Sequence, residues 1–184
     1  MLEKAVMYGR LVIFILICAV SFGVGWGEEK PVLERIEWSD IWVTNANSDD
    51  LPRVLLVGDS IVRGYFDAVE DELAGKAHCA RYTTSKFMGN PDFLKELEVL
   101  LGGYAFDVIH VNYGLHGWGY SEEAYAVAFE GLFELLERRA KDAVVIWAMT
   151  TPMREKEDLS RFASNNERVQ ARNRAALRVM EARG

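Results

Sequence analysis

The chain has 184 residues, half of them apolar and 27% charged, with 15 glycines and 4 prolines, which excludes a disordered chain and a fibrous repeat. Its formal charge is −7 and its basic residues are scattered among acidic ones, so nucleic acid is not expected as a partner. The two cysteines, Cys18 and Cys79, make neither a disulfide framework nor a zinc-ligand spacing, and no metal or organic cofactor is expected.

The first residues carry Lys4 and Arg10, then an unbroken apolar run from Leu11 to Val20, then Ser21, Gly23, Gly25 and Gly27 before Glu28, Glu29 and Lys30. A basic start, a short apolar core and small residues before a polar stretch is the layout of a secretory signal peptide, here residues 1–27. It implies a secreted or periplasmic protein. The alternative is an uncleaved membrane anchor over residues 11–26, which falls just short of a comfortable span. About 155 residues remain, enough for one domain with a core of its own.

Residues 28–52 read as an N-terminal extension that packs Trp38 and Trp42 on the domain, with a loop at Asn45–Asp50. From residue 53 short apolar runs alternate with amphipathic segments, the pattern of a parallel sheet covered by helices. Val54–Val57 is a strand buried on both faces, Lys76–Tyr82 a weaker strand, and Val108–Val111 and Ala143–Ala148 read like the first. Asn90 and Pro91 cap a helix whose Phe93, Leu94, Leu97, Leu100 and Leu101 share a face and which Gly102 and Gly103 end. Ser121 starts the next, with Phe129, Leu132, Phe133 and Leu136 as its stripe. The last begins at Ser164, where Glu167 completes a capping box, and buries Val169, Ala176, Leu177 and Met180.

In an open parallel sheet, ligands bind at the carboxyl ends of the strands. The first strand runs into Gly58-Asp59-Ser60. A serine in that turn is raised above the sheet beside free helix amides, which is where a nucleophile belongs. Taken alone, Asp59 and Ser60 read as an ordinary helix cap sooner than as a catalytic serine turn. The phosphate-loop and dinucleotide glycine patterns are both absent. The Val108–Val111 strand ends in Asn112-Tyr113-Gly114-Leu115-His116-Gly117-Trp118, a polar loop at the same edge that can supply donors to an oxyanion. Asn112 bonding only loop backbone, and His116 as an ordinary loop histidine, are the plainer readings. Gly89 lies between these segments, where backbone can approach a ligand. Thr150, Thr151, Pro152 and Arg154 follow the fourth strand, either rimming a pocket or simply leaving the strand. Trp118, Tyr120 and Tyr125 are either a sugar-stacking wall or packing residues. Asn173, polar within the last helix's stripe, reads as bonded to a neighbouring loop.

These residues, in this order, resemble the SGNH or GDSL hydrolase superfamily. Val54-Leu-Leu-Val-Gly-Asp-Ser-Ile matches its first block, Gly89 its second, and Gly114-Leu-His-Gly stands where the third reads Gly-x-Asn-Asp. The resemblance implies a flavodoxin-like three-layer α/β/α sandwich with a parallel sheet over residues 53–184. It also implies a serine ester hydrolase that works through an acyl-enzyme on acyl or acetyl esters of small molecules, lipids or glycans. Ser60 would be the nucleophile, with Asp59 in support. The amides of Ser60 and Gly89 would donate to the oxyanion, joined by His116 in place of the family's asparagine or by Asn112. The family's C-terminal Asp-x-x-His is not in the sequence, whose last histidine is His116. No base or orienting acid is therefore assigned, impaired activity is expected, and the domain is expected to lack a last strand and helix. The competing expectations are a non-catalytic glycan- or acyl-binding module on the same fold and a membrane-tethered structural protein.

Overall fold

The computed structural model describes residues 31–183. The leader expected over residues 1–27 lies outside them. Among the described residues no helix is long and apolar enough to cross a membrane.

Five strands form one sheet: β1 (Ser39–Val43), β2 (Arg53–Gly58), β3 (His78–Thr84), β4 (Val108–Asn112) and β5 (Val144–Trp147). Their order is β1-β3-β2-β4-β5, and all pairings are parallel except β1 with β3. The helices are α1 (Ser60–Glu72), α2 (Pro91–Gly103), α3 (Glu122–Arg139) and α4 (Asn166–Arg183).

Because successive strand side chains point to opposite faces, the central strands feed two layers. Leu55, Val57, Ala80, Tyr82, Ile109 and Val111 join the large core beneath α2, α3 and α4. Leu56 and Cys79 meet Val62 and Phe66 of α1 in a smaller core on the other face. The result is the expected three-layer α/β sandwich, and its central crossovers set the loops after β2 and β4 side by side at the carboxyl edge. Gly58 pairs with Asn112 there, so close that a Cβ on Gly58 would lie 2.6 Å from the Asn112 carbonyl.

Helix starts follow local chemistry. Asn90 accepts from the Asp92 amide at 3.0 Å with Pro91 in the first turn, and Ser121 accepts from Ala124 at 3.2 Å.

Four expectations need correction. The sheet is mixed: the extension supplies β1, an antiparallel edge strand. Its partly exposed residues show no alternating pattern, and side-chain pairs from far along the chain hold it, with Ser39 on Thr84 at 3.0 Å and Asp40 on Arg81 at 2.9 Å. The weak strand at Lys76–Tyr82 is instead His78–Thr84, and six of its seven residues are buried because strands flank it on both sides. The last strand is not buried on both faces: β5 is an edge, with Val144 61% and Ile146 50% exposed, because α1 covers only β2 and β3. Finally, α4 starts at Asn166 rather than Ser164. No Ser164–Glu167 capping box forms, since Asn166 turns its Oδ1 to the Met153 amide at 2.9 Å, and Leu177 is 43% exposed.

Candidate active site

The β2–α1 turn is short and holds itself. Asp59 is the N-cap, fully buried, and its Oδ1 accepts the Ile61 amide at 2.9 Å. Ser60 is the first residue of α1 and is exposed. A hydroxyl at this position faces solvent above the sheet, while the helix start offers free amides and a partial positive charge. Burial raises the Asp59 carboxyl above its ordinary value, opposed by the Ile61 amide, the charge of His116 and the Leu115 and Gly114 amides. Among the described residues Oδ2 of Asp59 has no hydrogen-bond partner.

The β4–α3 loop lies directly beside this turn and is held from outside. The His116 Nδ1 lies 2.9 Å from Oε2 of Glu34, whose Oε1 accepts the Gly117 amide, also at 2.9 Å. From α4, the fully buried Arg172 donates to the carbonyls of Gly114 at 3.0 Å, His116 at 2.6 Å and Gly117 at 2.9 Å. Its guanidinium also stacks 4.5 Å over the Trp118 ring, and Arg168, one turn earlier, donates to the Trp118 carbonyl at 2.8 Å and to Glu122 at 2.7 Å. Tyr113 is buried beneath, bonded to the carbonyls of Thr84 and Lys86, and Tyr125 donates to the Tyr113 carbonyl at 2.7 Å. Gly117 needs to be glycine: its φ is +73°, and a Cβ would lie 2.4 Å from the Phe87 ring.

The other candidates divide. Asn112 is buried with its amide on the Met149 carbonyl at 3.3 Å. Gly89 is exposed just before the Asn90 cap, with space for a Cβ taken by Phe87. Thr150 is buried against Gly114, and Asn173 brackets its backbone with two bonds of 2.9 Å, the loop-holding part expected of that asparagine. Thr151, Pro152 and Arg154 are exposed. Of the aromatics, Tyr125 is core, Tyr120 stacks on Phe87 at 4.0 Å, and Trp118 lies under two guanidiniums.

The remaining histidines are elsewhere. His110 faces the α1 layer, 2.8 Å from the Tyr65 hydroxyl. His78 opens β3 at the opposite edge, between Asn45 and Asp50. Three concavities of about 400, 500 and 360 Å³ also open at that opposite edge, around Tyr104, Arg53 and Cys79. Ser60 itself is solvent-exposed at the carboxyl edge.

Sequence reasoning missed Glu34, Arg168 and Arg172. Arg172 left a trace: it falls three residues after Val169 and four before Ala176, inside the apolar stripe of the last helix, where a charge requires a partner. Glu34 left none.

No family model and no curated protein matches the chain. Solved structures do. A protein described as a platelet activating factor from Streptococcus pneumonia is 23% identical with a TM-score of 0.56, over 73% of this chain and 64% of that one. The lipase/acylhydrolase from Enterococcus faecalis is 16% identical with a TM-score of 0.51, over 72% of each chain. A protein described as an SGNH hydrolase from Slackia heliotrinireducens gives 19% and 0.46. The chain thus spans less than two thirds of the first of these proteins. The likeness is one of fold: the domain shares its α/β architecture with the Streptococcus and Enterococcus proteins.

Proposed function

We propose that the protein is a serine ester hydrolase that forms an acyl-enzyme on Ser60, with small acyl or acetyl esters of carbohydrates or lipids as its substrate class. The observation that carries this reading is the placement of Ser60: an exposed hydroxyl on the first turn of α1, at the carboxyl end of a central strand, over a fully buried Gly58–Asp59 turn. The fold shared with the Enterococcus faecalis lipase/acylhydrolase supports it.

In the reaction, Oγ attacks the ester carbonyl and the carbonyl π pair moves to oxygen. The resulting oxyanion is stabilised by the Ser60 and Gly89 amides and the positive end of α1. Collapse releases the alcohol and leaves the acyl group on Ser60, and water then hydrolyses the acyl-enzyme.

Incubation of the full chain with p-nitrophenyl acetate, beside Ser60→Ala, tests this. Serine-dependent release of p-nitrophenol is expected, and equal release by the two proteins would remove Ser60 from the reaction. Binding of an acetylated oligosaccharide with no release of acetate would favour a binding module instead.

A further inference from the structure

Resting on that reading of Ser60, we propose that His116 is the general base for Ser60 and that Glu34 positions it, so that the chain carries a Glu–His pair of its own at the carboxyl edge. Of the other histidines in the described residues, His110 bonds Tyr65 inside the α1 layer and His78 bonds Asn45 and Asp50 at the far edge. His116 stands in the loop next to the Asp59–Ser60 turn, four residues past Asn112, which pairs with Gly58 just before that turn.

The bond to Glu34 decides what this imidazole can do. An ionised carboxylate only accepts, so Nδ1 must carry the proton, and in the neutral ring Nε2 is then a bare lone pair. Among the described residues none bonds Nε2. At Nε2 a neutral His116 in this tautomer takes a proton and has none to give, which suits a base and not the oxyanion donor that its place in the sequence suggests. Glu34 is fixed in turn by the Gly117 amide on its other oxygen, while Arg172 holds the loop through the His116 and Gly117 carbonyls. Tautomer and ring direction are therefore both set before substrate arrives, the arrangement a serine–imidazole–carboxylate site requires.

The step balances within the chain. As the Oγ–C bond forms, the Ser60 proton passes to Nε2 and the imidazolium is stabilised by Glu34. When the tetrahedral adduct collapses, the C–O bond to the alcohol breaks and the alcohol takes that proton. In the second half water gives its proton to Nε2, attacks the acyl carbon, and Ser60 leaves with the proton restored.

The test is the rate at which a fluorophosphonate labels the full chain, followed by intact mass, with circular dichroism confirming that each variant is folded. Wild type is expected to gain one adduct and Ser60→Ala none. His116→Asn keeps an N–H for Glu34 and restores the donor residue found in the family. It should nevertheless label about 10²–10⁴-fold more slowly. The cavity variant His116→Ala should be equally slow and be accelerated by added imidazole. Glu34→Gln should lower the limiting labelling rate by a smaller factor without weakening reagent binding, and Glu34→Asp should recover part of the loss. Labelling of His116→Asn at the wild-type rate, or no response of His116→Ala to imidazole, would overturn the proposal while leaving Ser60 as nucleophile. Absence of any adduct on folded wild type would instead overturn the serine hydrolase reading, and this proposal with it.

Discussion

Two loops meet at the carboxyl edge and are built on opposite principles. The β2–α1 turn is self-contained, since Asp59 caps the helix that begins one residue later and its bond spans two residues. The β4–α3 loop has little to hold it locally. Its carbonyls are taken by Arg168 and Arg172, 48 to 58 residues downstream, and its His116 and Gly117 by Glu34, more than 80 residues upstream. A nucleophile needs only to be raised on a rigid turn, which local chemistry achieves. A partner that must meet it at hydrogen-bond distance needs its loop fixed in three dimensions, and that takes anchors from other elements.

The contrast can be broken from the distant side first. Arg172→Met keeps the aliphatic stem and removes three bonds, leaving buried carbonyls unpaired and Glu122 without one of its partners, at a cost of about 3–5 kcal/mol. The urea midpoint measures it, and a change below about 1 kcal/mol would mean that water replaces the guanidinium without loss. Gly117→Ala comes next. The left-handed backbone costs about 1–2 kcal/mol and the clash with Phe87 about 1–3 more, so a loss of about 2–5 kcal/mol is expected in the same assay.

The smallest effect belongs to the local turn. Asp59→Ala should cost about 1 kcal/mol for the lost cap. Its pH dependence has a definite sign. Burial raises the folded carboxyl above its unfolded value, so its contribution to stability is fully present below about pH 3.9 and falls as pH rises through the folded value. The stability gap between wild type and Asp59→Ala is therefore expected to be wider at pH 3 than at pH 7. A gap that widened toward neutral pH would mean that the neighbouring amides and His116 outweigh burial.

The same divide explains what was legible in advance. The α2 and α3 caps, the buried β2 strand and the Gly58-Asp59-Ser60 turn are written in neighbouring residues, because caps and side-chain periodicity act over two to four positions. Strand β1 was missed because it borrows its order from β3. The start of α4 shifted because Asn166 is drawn to the Met153 amide, a tertiary bond that outweighs the Ser164 capping pattern. Exposure of β5 is likewise a matter of layers: Val144–Trp147 is apolar throughout, and only the placement of α1 decides which side is covered.

By itself, then, the sequence determined the α/β sandwich, the serine raised at the end of its central strand, and the polar loop that ends β4. Hydrophobic periodicity and helix capping are short-range and survive in any context. Only the tertiary structure decided which ring nitrogen of His116 faces a carboxylate, because Glu34 reaches it across 82 residues through the folding of the chain.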